Sequence, residues 1–300
     1  MMETRMRVLQ IIPDRATLYG EKCSLIDRQH LSRDSAMEVT VFRQKRQTLH
    51  RADPEESLVE FGTLGQFDIV HLYDADRIAP SVRRRIPPRH VADARGRRSR
   101  LPWRSIPDPR VLIRPVESVK APEEGFFLAE PIAEELLGAS PAGLTITEHP
   151  AVGCVRRQGP VERMTNAIRI RLERFRDDLE WTLFDRLPSR ADLRRVSVWI
   201  DVATDPDDRD GGAAEAAAAG IPVVASRLPL NEWRLSGGET GFLVRPGDAN
   251  EFAHVILIAL FKPEVTAPRV RRAVETRERF SPVRRAAELS SLYRHMVERS

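Results

Sequence analysis

Apolar residues along this 300-residue chain come in short bursts, separated by longer stretches that mix apolar and polar positions at helical spacing. The first burst, "RVLQII" from Arg7, is interrupted only by Gln10 and stops at Pro13 and Asp14. A run of that length bounded by turn residues predicts a buried strand of a parallel sheet. "EKCSLIDRQHLS" then reads as a helix, and "EVTVFR" and "FDIVHLYDA" as two further strands. The alternation lapses after residue 82 and resumes at "GLTITEHPAVGCVRR", where "AVGCV" is a strand. The amphipathic "VERMTNAIRIRLERF" follows, then "LEWTLF", "VSVWIDVAT", "IPVVAS" and "TGFLVRP" as strands, and "ANEFAHVILIALF" as a helix capped by Asp248, before a charged helical tail. Strands alternating with helices predict an α/β protein with parallel sheets covered on both faces. The pattern divides into two such domains, 1–145 and 146–300, each long enough for its own core.

The lapse is itself informative. Between Arg83 and Arg114 the chain carries eleven arginines and five prolines. Proline removes a backbone donor and arginine resists burial, so this segment is expected to be exposed. It reads as a solvated linker, or alternatively as an anion-binding surface for lipid head groups or a charged acceptor. Over the whole chain, 41% hydrophobic and 31% charged residues are ordinary for a folded globular protein and exclude wholesale disorder. The net charge of +4 says little about partners, because only Lys22, Lys45, Lys120 and Lys262 among the 48 basic residues are lysine, a bias of arginine-rich composition. No nucleic-acid partner is expected: Trp103 alone offers a stacking surface within the arginine-rich segment. Cys23 and Cys154 lie far apart with no ligand spacing around either, so both are expected as buried thiols of a reduced compartment, and no metal site is expected. The longest apolar run, "FAHVILIALF", has half the length of a membrane span, and "MMETRMRVLQIIP" lacks the core and cleavage site of a secretory signal. The expected location is the cytoplasm, with peripheral contact at the inner membrane face as the one membrane association considered.

The chemistry concentrates in "GGAAEAAAAGIPVVAS", Gly211 to Ser226. Gly211 and Gly212 stand where a loop turns into a helix, and glycines there let backbone amides approach a ligand. The first amides of a helix lack internal partners and suit a phosphate. In a wound α/β sheet ligands bind beyond the carboxyl ends of the strands, which is where "VATDPDDRDGG" lies if "VSVWIDVA" is a strand. That places Asp205, Asp207, Asp208, Asp210 and Glu215 near a ligand, where a carboxylate accepts two hydrogen bonds from vicinal sugar hydroxyls. Aspartates are common in loops, and an all-small helix packs closely on a sheet whether or not anything binds, so both readings stand at this point.

The segment from "DPDDRDGGAAEAAAAGIPVVAS" through "NEWRLSGGETGFLVRPGDANEFAHVILIAL" resembles the nucleotide-sugar-binding part of glycosyltransferase family 4, the retaining GT-B enzymes. More loosely, the similarity extends to "MRVLQIIP", "FDIVHLYDA", "AVGCVRR" and "SLYRHM". It implies a GT-B fold, two Rossmann-like domains facing a cleft, with an acceptor-side domain first and a nucleotide-sugar domain second. It implies that Glu215 holds ribose hydroxyls, that Asp207, eight residues earlier, takes the place of the glutamate contacting the donor sugar, and that Gly211 and Gly212 face the diphosphate. Arg156 and Arg157 occupy the place of the family's basic pair, which stabilises the departing diphosphate without a metal. The implied partners are a nucleotide sugar and a glycan, lipid-linked or small-molecule acceptor.

Departures from the family pattern fall on the site. No lysine follows Arg157 in "RRQGPVER", "RLPLNE" replaces the glycines after the PVVAS strand, and the turn after the first strand, "PDRATLYGEK", keeps only Gly20. These leave a second reading, a catalytically inactive GT-B scaffold that serves as a binding or partner subunit.

Overall fold

A computed structural model of the chain describes residues 5–13, 16–51, 57–86, 90–93, 111–115, 126–128, 131–137, 149–205, 208 and 210–298. The chain forms two compact units, Met1–Pro131 with Pro282–Ser300, and Ile132–Ser281. The first contains β1 (Met6–Pro13), α1 (Leu18–Leu31), β2 (Met37–Lys45), β3 (Thr48–Arg51), β4 (Ser57–Val59), β5 (Ile69–Leu72), α2 (Pro80–Arg83), β6 (His90–Asp93), β7 (Val111–Pro115) and β8 (Phe126–Leu128). The second contains α3 (Glu134–Leu137), β9 (Ala151–Val155), α4 (Pro160–Glu173), β10 (Glu180–Phe184), α5 (Arg190–Leu193), β11 (Val198–Asp201) and α6 (Ala213–Ala218). It continues with β12 (Val223–Ser226), α7 (Pro229–Arg234), β13 (Phe242–Val244), α8 (Ala249–Phe261) and α9 (Pro263–Glu275), after which the chain returns to the first unit as α10 (Pro282–Glu298).

The first sheet runs β4-β3-β2-β1-β5-β6-β7-β8; it is parallel from β2 to β8, with an antiparallel β2-β3-β4 edge. Successive side chains of a strand point to opposite faces, and both faces of β1 and β5 are covered. Leu9, Ile11, Val70 and Leu72 pack with Phe42, Leu64 and Val82 in one cluster. Val8 and Ile69, paired in register, pack with Leu31 of α1 and with Leu289, Leu292, Tyr293 and Met296 of α10 in another. That apolar stripe explains why the last helix belongs to the first unit and not, as the sequence division at 145 has it, to the second. Residue 145 itself lies outside the described residues.

The stretch 83–114, expected to be exposed, supplies β6 and β7, which pair in parallel with β5, with each other and with β8. Arg83 is buried at 4% exposure. "HVAD" and "VLIRP" are short strand-forming runs, and ladder pairing satisfies their backbone groups regardless of the arginines and prolines around them. Residues 87–89 and 94–110 lie outside the described ones.

On the face covered by α1 and α10, the next register pair is polar: Gln10 beside His71. His71 Nδ1 lies 2.6 Å from the Tyr293 hydroxyl, its ring stacks on Tyr73, and its Nε2 is buried without a hydrogen bond. Burial, reinforced by the Arg285 charge, holds its pKa well below the usual value. The unfolded chain therefore binds a proton here at a pH, about 6.5, where the folded protein does not. Stability rises with pH through that window and is lost as pH falls below it. We expect the unfolding midpoint to fall between about pH 7 and pH 5 and the fall to be shallower in His71→Gln; equal slopes in the two proteins would refute a neutral buried imidazole.

The second sheet is parallel throughout, in the order β10-β9-β11-β12-β13. Val152, Cys154, Val198, Ile200 and Val224 pack against Ile168 and Leu172 of α4 and Phe252 and Ile256 of α8. The ten-residue apolar run lies in α8, with Phe252, Ala253, Ile256 and Ala259 on its core side, and the helix is capped as expected by Asp248, whose carboxylate accepts from the Asn250 and Glu251 amides. Among the described residues no helix is long and apolar enough to cross a membrane. Both cysteines are buried free thiols, and burial pushes the Cys154 pKa up to about 12.

Candidate functional site

The alternation of β11 decides what reaches the strand end. Val198 and Ile200 enter the α4/α8 core, so Trp199 and Asp201 point to the other face, where α6 packs. Trp199 is fully buried, stacks on Phe184, and fits because its register partner on β9 is Gly153. Its indole donates to the Gly211 carbonyl at 2.8 Å, fixing the loop just before α6. Gly212, the residue before the helix, has φ +75°, a conformation that favours glycine. Gly211 is required for space: a Cβ there would lie 1.8–2.1 Å from the Asp201 carboxylate.

Asp201 is 1% exposed and holds two arginines. Arg157, two residues beyond β9, donates through Nη2 to Asp201 Oδ1 at 3.3 Å and to the Val202 carbonyl at 3.1 Å. Arg234, the last residue of α7, is fully buried with Nη1 3.5 Å from Asp201 Oδ2. Arg157 Nη1 pairs with Asp208 Oδ2, and Asp208 Oδ1 accepts from the Asp210 amide at 3.2 Å. Burial raises the Asp201 pKa, while Arg157 and Arg234 pull it back toward the ionised form and Asp208 adds to the rise.

This cluster has a particular place in the topology. The chain leaves β9 toward β10 on one side and, returning, adds β11 on the other, so the connections diverge between β9 and β11. That divergence is the switch point at which open α/β sheets bind ligands beyond their strand ends. Arg157 and Asp201 stand on its two sides. Ser226 ends the next strand with a buried hydroxyl that makes no hydrogen bond.

Of the residues expected from the sequence, Arg157, Gly211 and Gly212 come together here, and Glu215 lies in the first turn of α6, 2% exposed. Arg156 does not join them: its exposed side chain faces Asp185, with Nε 3.4 Å from Oδ1. Adjacent residues at a strand end point to opposite sides, so a basic doublet cannot place both charges at one spot. Asp207 lies outside the described residues. Asp201 and Arg234 are organising residues that the sequence reading missed; the signals were a carboxylate closing the apolar run "VSVWID" and an arginine in the short "NEWRL" helix. Among the described residues no cluster of three or more His, Cys, Asp or Glu side chains is placed to hold a metal ion.

Residues 202–261, from the residue after Asp201 to the end of α8, match the family model of Glycosyl transferases group 1. A comparison with curated proteins found no match. Among solved structures, HepE from Anabaena in complex with UDP-glucose aligns with a TM-score of 0.69 over 97% of this chain and 100% of its own, at 14% identity. Sucrose-phosphate synthase from Thermosynechococcus elongatus aligns with a TM-score of 0.67 over 99% of this chain and 100% of its own, at 14% identity. A glycosyltransferase from Rickettsia africae gives 0.69 over 99% and 100%, at 12% identity. The chain thus has the GT-B fold, with two Rossmann-like units built on parallel sheets, and its segment 202–261 carries the group 1 glycosyltransferase pattern.

Proposed function

We propose that the protein is a glycosyltransferase that moves a sugar from a nucleotide diphosphate sugar to a glycan, lipid-linked or small-molecule acceptor with retention of configuration. One observation carries this reading: a guanidinium, Arg157, fixed at the switch point against Asp201 and the Val202 carbonyl, where the matched segment with the glycine-led start of α6 begins. The solved relative HepE, crystallised with UDP and with UDP-glucose, supports a nucleotide sugar as donor. In this reading the second unit takes the donor and the first the acceptor.

The bond from the sugar to the diphosphate breaks as an acceptor hydroxyl oxygen attaches on the same face, and the hydroxyl proton passes to the departing diphosphate. Charge developing on that leaving group is met by Arg157 and the amides around Gly211 and Gly212. Glu215 accepts from the ribose hydroxyls, and Asp207 orients the donor sugar. A calorimetric screen of UDP, GDP, ADP and TDP should find at least one that binds. Glu215→Ala should weaken that binding about tenfold to a hundredfold, the loss of one or two hydrogen bonds to a carboxylate. Unchanged affinity in the variant would remove Glu215 from the site. NMR of the product anomer tests retention.

The second reading, a nucleotide-binding partner subunit without turnover, is favoured by one feature. Arg157 already faces two carboxylates, and Arg156 faces a third. Nucleotide binding without sugar transfer or donor hydrolysis, with any of the four corresponding nucleotide sugars, would select it.

A further inference from the structure

We propose that Asp208 is an internal competitor for the anion that Arg157 binds, so that the ligand enters by exchanging one anion for another. The inference rests on the reading of Arg157 as the diphosphate contact and concerns how that contact is regulated.

The two edges of the Arg157 guanidinium are held differently. Nη2 is bonded to the Val202 carbonyl and to Asp201, at 3.1 and 3.3 Å, and Asp201 is buried against Gly211 with Arg234 on its far oxygen. That edge is fixed by groups with no route to solvent, and it sets the plane of the guanidinium. Nη1, on the outer edge, pairs with Asp208, and the two side chains are 14% and 16% exposed. This pair, unlike Asp201, keeps a solvent-facing side. A guanidinium oriented by a buried partner, with its outer donor Nη1 matched by a carboxylate, can offer that donor and its charge to another anion once the carboxylate leaves.

Charge balance points the same way. Arg157 and Arg234 are neutralised by Asp201 and Asp208. A diphosphate arriving while Asp208 stays in place meets a cluster with no spare positive charge and a carboxylate at close range, which disfavours it. Departure of Asp208 frees one positive charge at the strand end. Asp201 cannot play this part, because Gly211 and both arginines enclose it. The first unit offers a contrast. At its own switch point, between β1 and β5, Asp74 accepts from the Thr17 amide at 2.7 Å and the Thr17 hydroxyl at 2.9 Å, packs against Gly20 and is 3% exposed. That carboxylate is a permanent part of the fold, whereas Asp208 is poised to exchange.

Calorimetric titrations of wild type, Asp208→Asn, Asp208→Glu, Arg157→Gln and the Asp208→Asn/Arg157→Gln double variant test this. The probes are inorganic pyrophosphate and, separately, UDP, GDP, ADP and TDP, with thermal unfolding as the check that all five proteins fold. Asp208→Asn keeps the shape and removes the charge, and should bind pyrophosphate and the preferred nucleoside diphosphate about tenfold more tightly than wild type. Asp208→Glu should bind like wild type, and in the Arg157→Gln background Asp208→Asn should gain nothing. Equal or weaker binding by Asp208→Asn would overturn the competition while leaving the nucleotide-sugar reading intact. A tenfold gain for pyrophosphate with no nucleotide bound by any protein would uphold the competition and overturn the nucleotide reading. Binding of neither probe class by wild type or Asp208→Asn would overturn both.

Discussion

Arg285→Met should destabilise the first unit by about 3–5 kcal/mol, the cost of leaving one partner of a buried ion pair without its counter-charge. Arg285 on α10 grips Asp27 on α1 bidentately through one edge, Nε to Oδ1 at 2.8 Å and Nη2 to Oδ2 at 3.0 Å, across 258 positions of sequence. The side chains are 2% and 0% exposed, so solvent screens none of this. Asp27 also accepts from the Tyr73 hydroxyl at 2.8 Å; Tyr73 accepts from Gln10 at 3.2 Å, and Ser24 donates to Gln10 at 3.0 Å. Burial and the nearby Asp27 charge hold the Tyr73 pKa well above its usual value, so it remains a donor. Methionine fills most of the volume of the arginine stem but strands the Asp27 carboxylate in an apolar setting. At about 2–4 °C per kcal/mol for a unit of this size, the midpoint should drop by roughly 10 °C. Replacing both members, Asp27→Leu with Arg285→Met, should recover much of the loss, because a buried pair exchanged for apolar residues is often neutral. A single variant that melts with wild type would show that the apolar stripe of α10 alone holds the helix.

The elements that were legible in the sequence are those whose burial is two-sided or whose period is unbroken. "RVLQII", "AVGCV" and "IPVVAS" became β1, β9 and β12 because a central parallel strand has no solvent face and leaves a continuous apolar run. "ANEFAHVILIALF" became α8 with its cap. What the pattern hid was set by partners distant in sequence. β6 and β7 sit among arginines and prolines, and their pairing neighbours, not their composition, make them strands. The charged tail became α10 of the first unit because Tyr293 and Leu289 complete a core begun by Val8 and Ile69. In the candidate site, the sequence singled out the glycines and Glu215 by pattern and Arg157 by the family resemblance, and the structure brings Arg157 and Gly211 together around Asp201. Asp201 was not singled out: a single carboxylate at the end of an apolar strand gains its meaning only when Arg157, Arg234 and Gly211 converge on it. The divergence of Arg156 from Arg157 is likewise a matter of strand-end geometry that a doublet in a sequence does not disclose.

That convergence makes Gly211→Ala the second large effect. The backbone of Gly211 is not in the left-handed region, so alanine meets no conformational barrier there; the obstacle is the 1.8–2.1 Å between its Cβ and the Asp201 carboxylate. Neither side has slack. The Gly211 carbonyl is fixed by the Trp199 indole, and Trp199 is itself fully buried and stacked on Phe184. Asp201 is held by Arg157 and Arg234. Overpacking of this kind costs about 1–3 kcal/mol, and displacing Asp201 from its arginines adds to it, so a loss of about 3 kcal/mol and a midpoint lower by roughly 6–12 °C are expected. Because the clash is with one side chain, it is separable from a general intolerance of the loop. In an Asp201→Ala background, Gly211→Ala should cost less than about 1 kcal/mol, a coupling that a double-mutant cycle on the unfolding free energy measures directly. Additive losses would place the strain elsewhere in the turn before α6 and deny Asp201 its role as the post on which the strand-end arginines are set.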